Sequence, residues 1–137
     1  MDSRGFDVEC RLQAVDAAME KVCAFVGDAL PPPDLVRLEI AVTEALNNLV
    51  LHGALPPGAG IGLTVRKAAP GVSVEIRDPG RPVPAGLFAA APDPARIDPL
   101  AEGGRGIALI VALSDALDYD SRDGVNRLVL RFAGQGS

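Results

Sequence analysis

The sequence predicts a two-layer α/β sandwich of the α+β kind, with a mixed, mostly antiparallel sheet and helices on one face. Apolar residues recur at helical spacing in three segments and alternate with polar residues in five shorter ones. Two pairs of alternating segments are joined by short turns, which forces antiparallel pairing of their strands. Because each strand has one apolar side, helices must pack on that side to bury it.

The predicted elements follow one another as strand, helix, helix, hairpin, loop, helix and hairpin. Proline and glycine clusters mark most of the boundaries between them. The bounds are 6–12 for the first strand, 15–29 and 34–52 for two helices, 61–65 and 72–76 for one hairpin, about 103–113 for the third helix, and 116–121 and 126–132 for the second hairpin. We expect residues 1–137 to form one domain.

Composition narrows the classes of function. The chain has 137 residues, of which 48% are hydrophobic, so we expect a packed core rather than disorder. A net charge of -5 argues against a nucleic-acid binder and against a polybasic membrane surface. No apolar run is long enough to span a bilayer, and Cys10 and Cys23 lack metal-site spacing, which favours a cytoplasmic protein with reduced thiols. A single histidine, His52, argues against a histidine-based triad or zinc site.

The central helix carries the first candidate site. Glu44 and Asn48 are four positions apart, so they lie one turn apart on one face, beside a broad apolar face. A carboxylate and a carboxamide in this arrangement can serve as an acid-base group and a metal ligand. Taken by themselves, the two side chains are more typical of ordinary solvated helix positions.

Two further segments carry candidate ligand-binding groups. Asp78 ends a predicted strand and can accept a hydrogen bond from an exocyclic amine such as that of adenine, and Gly80 lets a flat ring approach the backbone. The glycine-rich segment 103–106 opens a helix, where backbone N–H groups suit a bound phosphate. Separately, these segments are also typical of an ordinary turn and an ordinary glycine loop.

In this order and spacing, the three segments resemble the GHKL (Bergerat-type) ATP-binding domain and, within it, the anti-sigma-factor serine kinases of the RsbW-like group. The resemblance extends over about residues 6–132. The segment Glu44-Ala45-Leu46-Asn47-Asn48 is similar to the N box of that family, Asp78-Pro79-Gly80 to its first glycine box, and Gly103-Gly104-Arg105-Gly106-Ile107 to its second. Asn126 falls where a late strand closes the adenine pocket in the family.

The resemblance implies a role for each matching residue. Glu44 would be the general base that accepts the proton of a serine or threonine hydroxyl. Asn48 would complete the coordination of a Mg²⁺ that bridges the ATP phosphates. Asp78 would recognise adenine and Gly80 would give the ring room. The remaining cofactor-binding positions implied are those of the phosphate loop and the late strand, namely Gly103, Gly104, Arg105, Gly106, Ile107 and Asn126.

The long segment 81–102, rich in Pro, Ala and Gly, would be a lid over ATP. A lid of this kind excludes water and thereby favours transfer to a protein hydroxyl over hydrolysis. The chain departs from the family at Pro82, where a further glycine is common, because proline removes an N–H and stiffens the loop.

The function implied is that of an ATP-binding serine/threonine protein kinase acting as an anti-sigma factor. It would phosphorylate a STAS-type anti-anti-sigma protein, hold a sigma factor, and form a homodimer. Two alternatives stay open at this point. The first is a nucleotide-gated binding module, or a switch kinase of a signalling complex, without sigma-factor binding; the second is a slow stand-alone ATPase.

Overall fold

The computed structural model describes residues 2–68, 70–84, 88 and 104–133. The strands are β1 (Asp2–Glu9), β2 (Gly60–Ala68), β3 (Gly71–Asp78), β4 (Ala116–Arg122) and β5 (Val125–Ala133). The helices are α1 (Leu12–Val26), α2 (Pro32–His52) and α3 (Gly104–Leu113), with a short 3-10 helix, Gly27–Ala29, after α1. Of the predicted lid, 81–102, positions 81–84 and 88 fall within the described residues and the others lie outside them.

The five strands form one sheet in the order β1-β2-β3-β5-β4. Every pairing in the described part of the chain is antiparallel, so this sheet is antiparallel throughout rather than mixed. The register places Asp78, at the end of β3, directly opposite Asn126 near the start of β5. In the β4–β5 turn, Asp123 and Gly124 have φ of 53° and 79°, the pair of positive values that a tight hairpin turn requires.

One face of the sheet is apolar and is covered by the three helices. Alternate residues of the inner strands are buried, including Ile61, Leu63 and Val65 of β2 and Val74 and Ile76 of β3. Helix α2 contacts both α1 and α3, so it is the middle helix of the second layer. The predicted two-layer arrangement with helices on one face is confirmed.

The first strand was predicted at 6–12, but it lies at Asp2–Glu9. It ends at Glu9 because that residue pairs with Gly60, where β2 itself begins, and beyond it no partner strand continues. The alternation of apolar residues in the sequence runs on to Leu12. However, Leu12 is the first residue of α1, and its side chain is 43% exposed. At the other end, backbone pairing with β2 extends the strand to Asp2 although its side chains there are polar.

The central helix begins two residues before its predicted start at Asp34. Pro31 is the N-cap and Pro32 the first helical residue, a position that tolerates proline because its N–H would lack a helical partner. Asp34 therefore lies inside the first turn. It is buried and accepts a 2.6 Å hydrogen bond from Arg37. In the described ranges, no helix is long and apolar enough to cross a membrane.

Candidate nucleotide site

Two glycines bring the end of α2 against the end of β3. Gly53 caps α2, and its carbonyl oxygen accepts a hydrogen bond of 2.6 Å from the backbone N–H of Arg81. A Cβ at Gly80 would overlap that carbonyl oxygen and would lie 2.8 Å from Cδ1 of Leu55. Because a side chain at position 80 does not fit, glycine is required here by packing as well as by any ligand.

The carboxylate of Asp78 is held in one orientation by its neighbours. Its Oδ1 accepts hydrogen bonds from the backbone N–H of Gly80 at 2.8 Å and from Nδ2 of Asn126 at 3.0 Å. Nδ2 of Asn126 also donates to the carbonyl of Gly80 at 2.9 Å, and its Oδ1 accepts a hydrogen bond from Ser121 at 2.7 Å. Within the described residues, the hydrogen bonds that Asp78 accepts all end on Oδ1 and none ends on Oδ2.

Asp78 and Asn48 line the same cavity, between α2, β3 and β4. The volume of this cavity is about 30 Å³. Apart from Asp78, Asn48 and Arg81, its walls are apolar or aromatic, formed by Ala45, Leu49, Ile76, Val83, Phe88, Ile110, Tyr119 and Leu128. An apolar slot with a few convergent polar groups is the usual form of a small-molecule site.

Glu44 lies one turn before Asn48 on α2, and the start of α3 approaches it. A methyl group at Gly106 would stand 3.5 Å from Oε2 of Glu44. Gly104 and Arg105 belong to the first turn of α3, whereas Gly103 and the side chain of Arg105 lie outside the described part of the chain. The structure therefore brings the candidate base next to the glycine-rich helix start.

Tyr119 and Ile110 line the cavity but were not among the site residues predicted from the sequence. The hydroxyl of Tyr119 accepts a 2.8 Å hydrogen bond from the backbone N–H of Val83, and the rings of Tyr119 and Phe88 pack with centroids 5.2 Å apart. The alternation of Leu117 and Tyr119 along β4 could have indicated that Tyr119 faces inwards. On α3, it is Ile110 that lines the cavity, whereas Ile107 is buried away from it.

Burial governs the ionisation of Tyr119. It raises the pKa of the phenol above its usual value, and the carboxylates of Asp78 and Asp120 act in the same direction, against the hydrogen bond from Val83. Deprotonation of this hydroxyl is therefore harder than that of a tyrosine in water.

The donor set near the cavity fits a magnesium ion that is held mainly by phosphate and water. Within the described ranges, no group of three or more His, Cys, Asp or Glu side chains could enclose a metal. An amide oxygen from Asn48, with the carboxylate of Glu44 one turn away, is a hard oxygen set of the kind Mg²⁺ takes from a protein. This arrangement suits a metal that arrives with a nucleotide.

Comparisons with known proteins agree with the fold. The family model of the histidine kinase-like ATPase domain matches residues 8–132. The serine/threonine-protein kinase BtrW of Bordetella bronchiseptica is 38% identical over 95 residues, which cover 68% of this chain and 66% of BtrW. The solved structure of the RsbU and RsbW domains of Rv1364c from Mycobacterium tuberculosis matches with a TM-score of 0.65 at 13% identity. That match covers 97% of this chain and 32% of the other.

The chain therefore belongs to the histidine kinase-like ATPase domain family. At the level of the family it is an ATP-binding domain, and the resemblance predicted from its three motifs is confirmed. The aligned part spans just under two thirds of BtrW, at 66%, and about a third of the Rv1364c chain, at 32%.

Proposed function

We propose that this protein is an ATP-dependent serine/threonine protein kinase that acts as an anti-sigma factor. The observation that carries the proposal is the position of Glu44 between two groups suited to phosphate chemistry. Its carboxylate lies beside Gly106 at the start of α3, and Asn48 follows one turn later on α2. A base beside a phosphate-binding helix start is what transfer to a hydroxyl requires.

In this proposal the nucleotide lies with its base in the cavity and its phosphates at α3. Oδ2 of Asp78 accepts a hydrogen bond from the exocyclic amine of adenine, since Gly80 and Asn126 already occupy Oδ1. The backbone N–H groups of the glycine-rich helix start bind the phosphates, where the helix dipole favours negative charge. Asn48 would hold Mg²⁺, whose contribution is to neutralise phosphate charge.

The transfer step needs one proton acceptor. The hydroxyl oxygen of the acceptor serine or threonine forms a bond to the γ-phosphorus, while the bond from that phosphorus to the β–γ bridging oxygen breaks and ADP leaves. Glu44 accepts the hydroxyl proton as the new bond forms.

The partners we propose are a STAS-type anti-anti-sigma protein as the phosphate acceptor and a sigma factor as the protein held, with a homodimer as the assembly and the cytoplasm as the location. The kinase activity and the protein partners are supported by the similarity to BtrW, which is named a serine/threonine-protein kinase, and by the fold shared with the RsbW domain.

The test begins with calorimetric titration of ATP, with and without Mg²⁺, into the wild type and Asp78→Asn. The proposal expects Mg²⁺-dependent binding by the wild type and at least about tenfold weaker binding by the variant, because an amide cannot replace the carboxylate as a double acceptor. Absence of binding by the wild type would contradict the proposal. Nucleotide-dependent capture of a partner without any phosphoprotein would favour the binding-module alternative.

A further inference from the structure

The cavity lined by Asp78 and Asn48, in which we place the adenine ring, is too small to hold it. At about 30 Å³ it has room for about one water molecule, whereas sites for drug-sized ligands commonly measure roughly 300–1,000 Å³. The aromatic side chains at its rim, Phe88 and Tyr119, pack on each other with ring planes inclined at 44°. Something at this rim must move before a purine can reach Asp78.

We propose that Phe88 occupies part of the base site in the nucleotide-free protein, and that the base of a bound nucleotide replaces Phe88 against the ring of Tyr119. Tyr119 is then a further nucleotide-binding residue, and Phe88 is a competitor for the same place. This inference rests on the proposed binding of a nucleotide in the cavity, and it adds which side chains the base contacts and which one it displaces.

The two aromatic residues differ in how firmly they are held. Tyr119 belongs to β4, where it is paired with Leu128 of β5, so its backbone is fixed by the sheet. Phe88 lies after β3, outside any helix or strand, and is only partly buried against the core. Displacing Phe88 therefore breaks no sheet hydrogen bond, whereas displacing Tyr119 would disrupt the β4–β5 pairing.

The hydroxyl of Tyr119 also positions the chain just after β3. It accepts a hydrogen bond from the backbone N–H of Val83, and Val83 itself lines the cavity. A base that stacks on Tyr119 would thus lie between the apolar floor, which includes Ile76, and this tethered segment. Aromatic side chains bind bases of any sequence by such stacking because every base presents a π-face.

Replacing the two residues should change nucleotide affinity in opposite directions. A site that is partly closed binds with an apparent affinity reduced by the closed fraction, so Phe88→Ala should tighten ATP binding by about three- to tenfold and speed association. Tyr119→Leu removes the ring on which the base stacks and should weaken binding by about tenfold. A purely structural role for both residues would weaken binding in both variants.

The chain offers a direct spectroscopic reporter. It contains one tyrosine and no tryptophan, so its intrinsic emission comes from Tyr119. We expect nucleotide binding to quench this emission in the wild type and in Phe88→Ala. The matched control is Phe25→Ala, whose ring packs under Lys67 on the other side of the molecule and whose loss should leave ATP affinity unchanged.

The experiment measures ATP affinity by calorimetry on the full chain for the wild type and the three variants, with circular dichroism to verify folding. The Tyr119 emission is measured for the wild type, Phe88→Ala and Phe25→Ala, which keep the tyrosine. Tighter binding by Phe88→Ala, together with quenching of Tyr119 emission, supports the inference. Unchanged or weaker binding by folded Phe88→Ala, or emission that does not respond to bound ATP, overturns it even if Tyr119→Leu fails to fold. If ATP binds but the Tyr119 emission does not change, only this inference fails. If the wild type binds no nucleotide, the proposed function fails as well.

Discussion

Nδ2 of Asn126 lies 3.0 Å from Oδ1 of Asp78, although 48 positions separate the two residues in the sequence. They meet because β3 and β5 pair with Asp78 directly opposite Asn126. Both side chains are buried, at 6% and 3% exposure, so the hydrogen bond is shielded from water. The amide of Asn126 thereby sets the orientation of the carboxylate that we propose as the adenine acceptor.

Asn126→Leu should disturb that orientation without changing the volume of the side chain. Loss of the amide leaves Oδ1 of Asp78 with one hydrogen bond fewer, at a cost of about 1–3 kcal/mol in unfolding free energy, and should weaken ATP binding. Chemical denaturation and calorimetry measure the two effects. Ser121→Ala is the control, because it removes only the bond that Asn126 accepts. Equal ATP affinity in Asn126→Leu and the wild type would show that Asp78 needs no such support.

Gly80→Ala tests the close approach between the ends of α2 and β3. The added methyl would overlap the carbonyl oxygen of Gly53, which cannot move without disturbing the helix cap, so we expect a loss of about 2–3 kcal/mol in stability. Thermal and urea unfolding would measure it. Gly5→Ala is a matched control, since its methyl would lie 3.7 Å from the nearest atom, the carbonyl oxygen of Leu63. Wild-type stability of Gly80→Ala would mean that the end of α2 and the end of β3 are not in contact.

Arg37 joins α2 to the end of α3 and the start of β4. It donates to Asp34 at 2.6 Å and to the carbonyl of Leu113 at 2.8 Å, and it pairs with Asp115. Arg37→Met would leave the buried carboxylate of Asp34 unpaired, and we expect a loss of about 2–3 kcal/mol in unfolding free energy. This loss is smaller than that for a fully buried ion pair because Arg37 is partly exposed. Urea denaturation is the measurement.

Two further variants test this explanation. Adding Asp34→Leu to Arg37→Met should recover much of the stability, because the buried charge is then gone. Arg131→Met, which breaks an exposed pair with Asp118, should cost less than about 1 kcal/mol. If the double variant were less stable than Arg37→Met, the buried charge would not be the cause of the loss.

Acid should destabilise the protein through Asp115. A hydrogen bond from the backbone N–H of Ala133, together with Arg37, holds the pKa of this carboxyl below its usual range, although partial burial acts against this. A carboxyl with a lowered folded pKa stabilises the protein above its unfolded pKa, about 3.9, and this stability is lost as pH falls through the folded value. We therefore expect a melting temperature that is steady above about pH 5 and falls below about pH 4.

Asp115→Asn should reduce this acid-dependent fall and lower the melting temperature at neutral pH. Thermal unfolding between about pH 2 and 7 measures both effects. Asp16→Asn removes the same charge from the exposed face of α1 and serves as the control. Curves for Asp115→Asn that coincide with the wild type at every pH would contradict the assignment.

The sequence allowed most of the fold to be predicted because its patterns are local. Alternation defines both hairpins, and Asp123-Gly124 marks a turn that needs two positive φ values. That Asn48 and Asp78 lie close together was also predictable, because the motifs that contain them stand in a family order; both residues line one cavity. The true start of β1 was not, since Asp2 is held by pairing with β2 rather than by its own side chain.

The rim of the cavity could not be predicted in the same way. The contact of Tyr119 with Val83 and Phe88 joins β4 to a segment that has no periodic pattern. Likewise, the spacing of Asp34 and Arg37 suggests an ion pair, but the bond from Arg37 to the carbonyl of Leu113 depends on how α2 and α3 pack. Such contacts follow from the tertiary arrangement and leave no local signal in the sequence.

Phosphate transfer by Glu44→Gln is the sharpest test of Glu44 as the base of a protein kinase. Purified STAS-domain proteins from the organism that encodes the chain would be incubated with labelled ATP, Mg²⁺ and either the wild type or the variant, with ATP affinity measured in parallel. We expect the wild type to phosphorylate one of them, and Glu44→Gln to bind ATP normally but to transfer phosphate at least about 100-fold more slowly. Transfer by Glu44→Gln at the wild-type rate would contradict it.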